Sequence, residues 1–236
     1  MEPEADEKSI DPECPIMHQK IYEKSIDPAS QTMLQKAEQE GIETAWDRYE
    51  RQLPQCSFGK LGVCCRNCNM GPCRVDPLGK KKPKGICGAT AEIIVARNLL
   101  RTIAAGAAAH SDHARDAVLT FKKMSEGKIQ SYGIIDEVKL LSLAYEYGIP
   151  AEGKSHEEVA AELADALLQE FGKQNSPILC TRRAPNSRLK LWTKLGIEPR
   201  GIDREIVECM HRTNMGVDND ATHILLQGLR TGLSDG

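Results

Sequence analysis

Apolar residues recur at intervals of three and four along most of the chain, a pattern that predicts a mainly α-helical protein. Asp27-Pro28 has the form of a helix start, with Asp27 as cap and Pro28 in the first turn. That helix runs to Gln39, pauses at Gly41 and resumes through IETAWDRYERQ. From Ala89, the segment ATAEIIVARNLLRTIAAGAAAHSDHARDAVLTFKKMSEGK places Ile93, Ala96, Leu100, Ile103 and Ala107 at helical spacing. It predicts one long, largely buried helix in which Gly106 admits a close neighbour. Further helices are predicted at 135–147, 155–172, 186–195, 203–214 and 221–233, with Ser155 and Glu158 as a capping box. The best strand signal is ILC at 178–180, and it is short.

Two stretches break the helical pattern. Residues 1–29 are polar and repeat the hexapeptide EKSIDP at 7–12 and 23–28, which reads as local duplication in a mobile tail. After the N-terminal helices of 30–52, residues 53–88 hold six glycines and four prolines without any sustained apolar period. This is a loop shaped by whatever its cysteines bind. Residues 89–236 form the helical domain.

Composition narrows the setting. The apolar content of 40% can supply a core. No secretory or transit segment is visible at the N-terminus, and the small apolar run TIAAGAAA at 102–109 is far too short for a bilayer. Nine cysteines without an export signal point to a cytoplasmic protein whose clustered thiols bind metal rather than form disulfides. A net charge of −3 suggests no general affinity for nucleic acid or an anionic membrane, and neither nucleic acid nor membrane insertion is expected. The distribution is uneven, however: segment 60–87 carries seven basic residues against the single acid Asp76.

The cysteines are the chemistry. Cys65, Cys68, Cys73 and Cys87 follow the spacing Cys-x2-Cys-x4-Cys-x13-Cys, with Gly71-Pro72 as a turn and Gly85 and Gly88 around the last thiol. Four thiolates in this arrangement suit a [4Fe-4S] cubane, each iron taking one sulfur, and nearby positive charge would raise its reduction potential. Structural zinc also takes four cysteines, although its modules usually pair two Cys-x2-Cys knuckles and only one occurs here. Cys56 and Cys64 remain. In an extended segment the adjacent Cys64 and Cys65 face opposite sides and serve different centres. Two thiols cannot complete a four-cysteine site. A disulfide, an under-coordinated metal, or a cluster shared across a two-fold axis would each account for them. Cys14, Cys180 and Cys209 read as a tail thiol and two packing residues, without a partner site at His18 or His211.

The run Cys-x7-Cys-Cys-x2-Cys-x4-Cys, with GICGA at 85–89 and the helix IVARNLLRTIAAGAAAHSDHARD, resembles the N-terminal part of anaerobic nickel–iron carbon monoxide dehydrogenase catalytic subunits. GIDREIVECMHRTNMGVDNDATHILLQGLRTGLSDG resembles the segment before that family's first nucleotide-binding-like domain, so the resemblance spans about residues 30–236. It implies a helical N-terminal domain with an inserted iron–sulfur loop, without the family's α/β domains. It also implies a homodimer that oxidises CO with water to CO2, two protons and two electrons. On that resemblance Cys65, Cys68, Cys73 and Cys87 hold a [4Fe-4S] cluster within the chain. Cys56 and Cys64 hold one shared across the dimer, [2Fe-2S] in some relatives, and electrons pass to a ferredoxin-like acceptor. His110 becomes the acid–base residue beside substrate and His113 the start of a proton path, with Asp116 where relatives often carry a third histidine. Without the resemblance both histidines read as surface or packing residues.

The ligands of the family's nickel–iron–sulfur centre have no counterpart here, so the isolated chain is expected to be inactive. The last amphipathic segment is left unclosed at Gly236, which suggests a sequence that stops before its protein does. An independent electron-transfer or dimerisation module is the alternative reading, and a zinc-bound interaction domain is a third.

Overall fold

The structure, a computed structural model, describes residues 21–236 apart from the side chain of Cys180. The first EKSIDP copy, Cys14 and His18 lie outside the described residues. The mobile tail expected over 1–29 also falls largely there. From Ile21, which is buried, the chain makes a helical turn, so ordered structure begins before position 30.

The chain divides into two compact units, Met1–Cys56 and Ser57–Gly236. The cysteine-rich segment therefore belongs with the helices that follow it. In the first unit, α1 (Pro28–Gln39) starts as its sequence dictates: Asp27 accepts from the Ser30 N–H at 2.7 Å and Pro28 occupies the first turn. Helix α2 (Ala45–Arg51) opens with a capping box in which Thr44 and Asp47 satisfy each other's backbone N–H groups. Trp46 and Tyr49 meet edge to face at 6.1 Å.

The second unit is built around α4 (Ala91–Ser125). Before it come the short α3 (Ser57–Lys60) and two-residue strands β1 (Cys64–Cys65) and β2 (Cys73–Arg74). After it come α5 (Glu137–Glu146), α6 (His156–Phe171), a 3-10 turn (Leu179–Arg183), α7 (Asn186–Leu195), α8 (Ile202–Arg212) and α9 (Ala221–Asp235). Helices α6, α8 and α9 all pack on α4. The protein is mainly α, with its helices close to the predicted ranges and the Ser155–Glu158 capping box in place. None of the described helices is long and apolar enough to cross a membrane.

One stripe of α4, Ala96, Leu100 and Ala104, packs with Cys209 of α8 and Ile224 of α9. A second core joins Leu140 and Ala144 of α5 to Val159, Ala160 and Leu163 of α6. Each fully buried Leu, Ile or Val contributes about 1.5–3 kcal/mol relative to exposure. Two expectations change. Helix α4 is not largely buried: Val95 and Leu99 are 41% and 47% exposed, because neighbours cover only one face. A Cβ on Gly106 would meet nothing, and the close approach comes from the opposite helix, where one on Gly228 would stand 3.0 Å from Ile103 Cδ1. The short strand signal at 178–180 yields no strand: it is the entry to the 3-10 turn, since Ile178 N–H donates to Pro199 O and the Thr181 hydroxyl turns back to Ile178 O at 2.8 Å.

Between α8 and α9 lies a buried ionic cluster. Glu205 has no exposed surface and accepts from Arg200 Nε at 2.7 Å and Gln227 Nε2 at 2.8 Å, with Arg230 Nε at 3.2 Å.

Candidate metal centre

The loop expected over 53–88 is held by a small hairpin and by α4. Strands β1 and β2 pair antiparallel with Cys65 opposite Cys73 and Cys64 opposite Arg74. Side chains alternate along a strand, and here Cys65 turns inward at 9% exposure while Cys64 stays half-buried. Asn98 of α4 clamps the hairpin, donating from Nδ2 to Gly62 O at 2.9 Å and Cys64 O at 3.1 Å. Val75 N–H donates to Val63 O at 3.1 Å. Gly71 is needed where the chain doubles back: a Cβ there would stand 2.9 Å from Cys65 O and 3.3 Å from Cys73 N. The return through Gly85–Ala89 closes with Gly85 N–H to Ala89 O at 2.8 Å and passes through Gly88 at φ +86°. Asp76 accepts from the Leu78, Lys80 and Lys81 N–H groups, so the one acid of the basic segment organises its lysine-rich turn.

These elements bring the four cysteines of the loop to one place. Cys65, Cys68, Cys73 and Cys87 line a single narrow cleft with Asn67 and Arg97. Cys65, Val75, Ala89 and Ile94 form its apolar floor. Burial pushes the Cys87 thiol up, but the Ala89 N–H and the Arg97 guanidinium outweigh it and hold the pKa below the ordinary thiol value. Arg97 is 1% exposed; Nη1 lies 3.7 Å from Cys87 Sγ, and Nη2 donates to Asp218 O at 2.5 Å and Asn219 Oδ1 at 2.9 Å.

Two donors at this cleft, Asn67 Nδ2 and Arg97 Nε, are buried without a hydrogen-bond partner. Buried donors are rarely orphaned, so their coincidence beside four thiols fits an acceptor-rich anionic group. Among the described residues, no three His, Cys, Asp or Glu side chains converge closely enough to hold one metal ion. Four thiolates on one zinc would lie roughly 3.8 Å apart, given Zn–S bonds of about 2.3 Å.

The other candidates lie elsewhere. Cys56 is exposed and ends the first unit. Cys209 is buried with Sγ 3.0 Å from Thr231 Oγ1, and burial pushes its thiol up, in keeping with a packing residue. His110 and His113 are both exposed on α4, one turn apart. His110 Nδ1 lies 3.0 Å from Asp235 Oδ1, beside an apolar cleft lined by Tyr147, Phe171 and Ile202. Sequence reasoning missed Arg97, Asn67, Asn98 and Asp235. For Arg97 a signal existed: it stands three residues after Ile94 and three before Leu100, a charge set within the apolar stripe.

Residues 63–236 match the Prismane/CO dehydrogenase family. The whole chain is 81% identical to carbon monoxide dehydrogenase 1 of Methanosarcina acetivorans and spans 35% of its length. Over 195 residues, 82% of this chain, it is 54% identical to carbon monoxide dehydrogenase 2 of Carboxydothermus hydrogenoformans, spanning 31% of that protein. A nickel-free crystal structure of carbon monoxide dehydrogenase from Thermococcus sp. AM4 superposes with a TM-score of 0.81 at 57% identity, covering 89% of this chain and 33% of that one. The chain thus spans about a third of the length of the curated relatives it matches.

Proposed function

The chain belongs to the Prismane/CO dehydrogenase family, and on that premise we propose that it is the cluster-bearing part of an anaerobic carbon monoxide dehydrogenase. The complete cytoplasmic enzyme would convert CO and water to CO2, two protons and two electrons. Cys65, Cys68, Cys73 and Cys87 hold a [4Fe-4S] group within the chain, and Cys56 and Cys64 contribute to one shared with a second copy. Such groups supply one-electron storage and transfer, here toward a ferredoxin-like acceptor. The observation that carries this reading is the cleft where all four cysteines meet two orphaned buried donors.

The chain's own residues have definable tasks. The apolar floor of Val75, Ala89 and Ile94 limits water at the thiolates. Asn98 and Gly71 keep the hairpin in the register that sets Cys65 against Cys73. His110 takes up a proton released in the reaction, with the Asp235 carboxylate at Nδ1 orienting the ring and leaving Nε2 for exchange. His113, one turn on, continues that path. The nickel–iron–sulfur centre is assigned to residues outside this chain, so the chain by itself is expected not to oxidise CO.

Anaerobically prepared Cys65→Ser and Cys64→Ser variants test the division of labour. Cys65→Ser should lose the iron held within the chain and remain dimeric. Cys64→Ser should keep that iron and weaken the dimer. Loss of the same iron from both variants would contradict the assignment.

A further inference from the structure

Arg97 is a buried cation for which the described residues supply no carboxylate. Asp218 offers it only a backbone carbonyl, because the Asp218 carboxylate pairs with Arg212 at 2.9 Å. The contrast lies in the same unit, where Arg200 and Arg230 both have Glu205. A guanidinium does not deprotonate in proteins, and an unpaired charge at 1% exposure is strongly unfavourable. Charge balance therefore calls for an anion beside Arg97, and the thiol at 3.7 Å belongs to Cys87 of the four-cysteine cleft.

We infer that Arg97 is the counter-cation of the group held by Cys65, Cys68, Cys73 and Cys87, and that with Asn67 it sets that group's reduction potential; this rests on the cluster assignment above. One-electron reduction makes the group one unit more negative, and a fixed positive charge beside Cys87 favours that change. The unpartnered Arg97 Nε and Asn67 Nδ2 supply two further donors to sulfur, which favour the reduced form in the same direction. Lys80, Lys81, Lys82 and Lys84 are exposed, so solvent and salt screen them more than Arg97. Through Asp218 and Asn219, the same guanidinium ties the cleft to the turn that starts α9. Arg97 is thus a positioning residue as well as a charge.

The test is a redox titration of the full chain, prepared anaerobically and followed by electron paramagnetic resonance. Arg97→Gln removes the charge and keeps a donor; Arg97→Lys keeps the charge; Asn67→Asp adds a negative charge in the same cleft. Arg97→Gln should lower the ratio of reduced to oxidised group at a fixed potential at least tenfold, about 59 mV for a one-electron couple. Arg97→Lys should move it far less, and Asn67→Asp should move it in the same direction as Arg97→Gln. A purely structural role would make Lys and Gln equally damaging to iron retention and leave the ratio unmoved, which would overturn the inference. Should Arg97→Gln hold no iron, an unchanged ratio in Asn67→Asp would overturn it. If the unmodified chain gives no iron–sulfur signal, the cluster assignment fails and takes the inference with it. A normal signal with an unmoved ratio sinks the inference alone.

Discussion

Glu205 is a carboxylate with no exposed surface, and its partners decide whether it can stay charged. Burial pushes its pKa up, but the Arg200 and Gln227 hydrogen bonds and the Arg230 charge win, so it sits below the usual 4.5. A lowered folded-state value means stabilisation that is present above the usual glutamate range and lost as pH falls through the folded value. Urea midpoints should therefore drop as the solution is acidified below about pH 4.5, and that part of the decline should vanish in Glu205→Gln. At neutral pH the same variant should lose about 3 kcal/mol, because it takes the Glu205 carboxylate away from two partly buried guanidiniums, Arg200 and Arg230. A variant as stable as the parent at pH 7 would contradict this. The residue scale is also where the sequence was least legible. The cysteines announced themselves by spacing and Arg97 only as a charge set within an apolar stripe, whereas Asn67 and Asp235 matter through neighbours that no local pattern encodes.

Helices were legible because their determinants are local. Asp27-Pro28 and Ser155–Glu158 act within one turn, and both caps form as read. The short strands were not, because two residues cannot display a period and β1 exists only through its pairing with β2. ILC at 178–180 carries strand-like residues but finds no strand to pair with, and Ile178 N–H settles on Pro199 O. Element packing also makes one glycine indispensable. Gly201 begins α8 against the end of α6, where a Cβ would stand 2.5 Å from Phe171 O and from Lys173 N. Backbone atoms cannot rotate away as a side-chain tip can, so Gly201→Ala should cost at least about 1–3 kcal/mol and lower the thermal midpoint. Gly106→Ala, facing open space within α4, should instead be neutral or stabilising by up to about 1 kcal/mol. Equal effects of the two substitutions would refute this account of the packing.

At the scale of the molecule, the mainly α architecture and the meeting of the four cysteines were both readable from sequence. The hairpin that joins them and the partition at Cys56–Ser57 were not, since they depend on contacts across the chain. The partition sets Cys56 and Cys64 in different units, and their proposed role completes a site only with a second copy. The account predicts one private and one shared cubane, hence about six irons per chain and a matching amount of acid-labile sulfide. Metal and sulfide analysis of the anaerobically prepared chain is the most direct check. About six irons with matching sulfide and no zinc is the predicted result; stoichiometric zinc with neither iron nor sulfide would contradict the central claim.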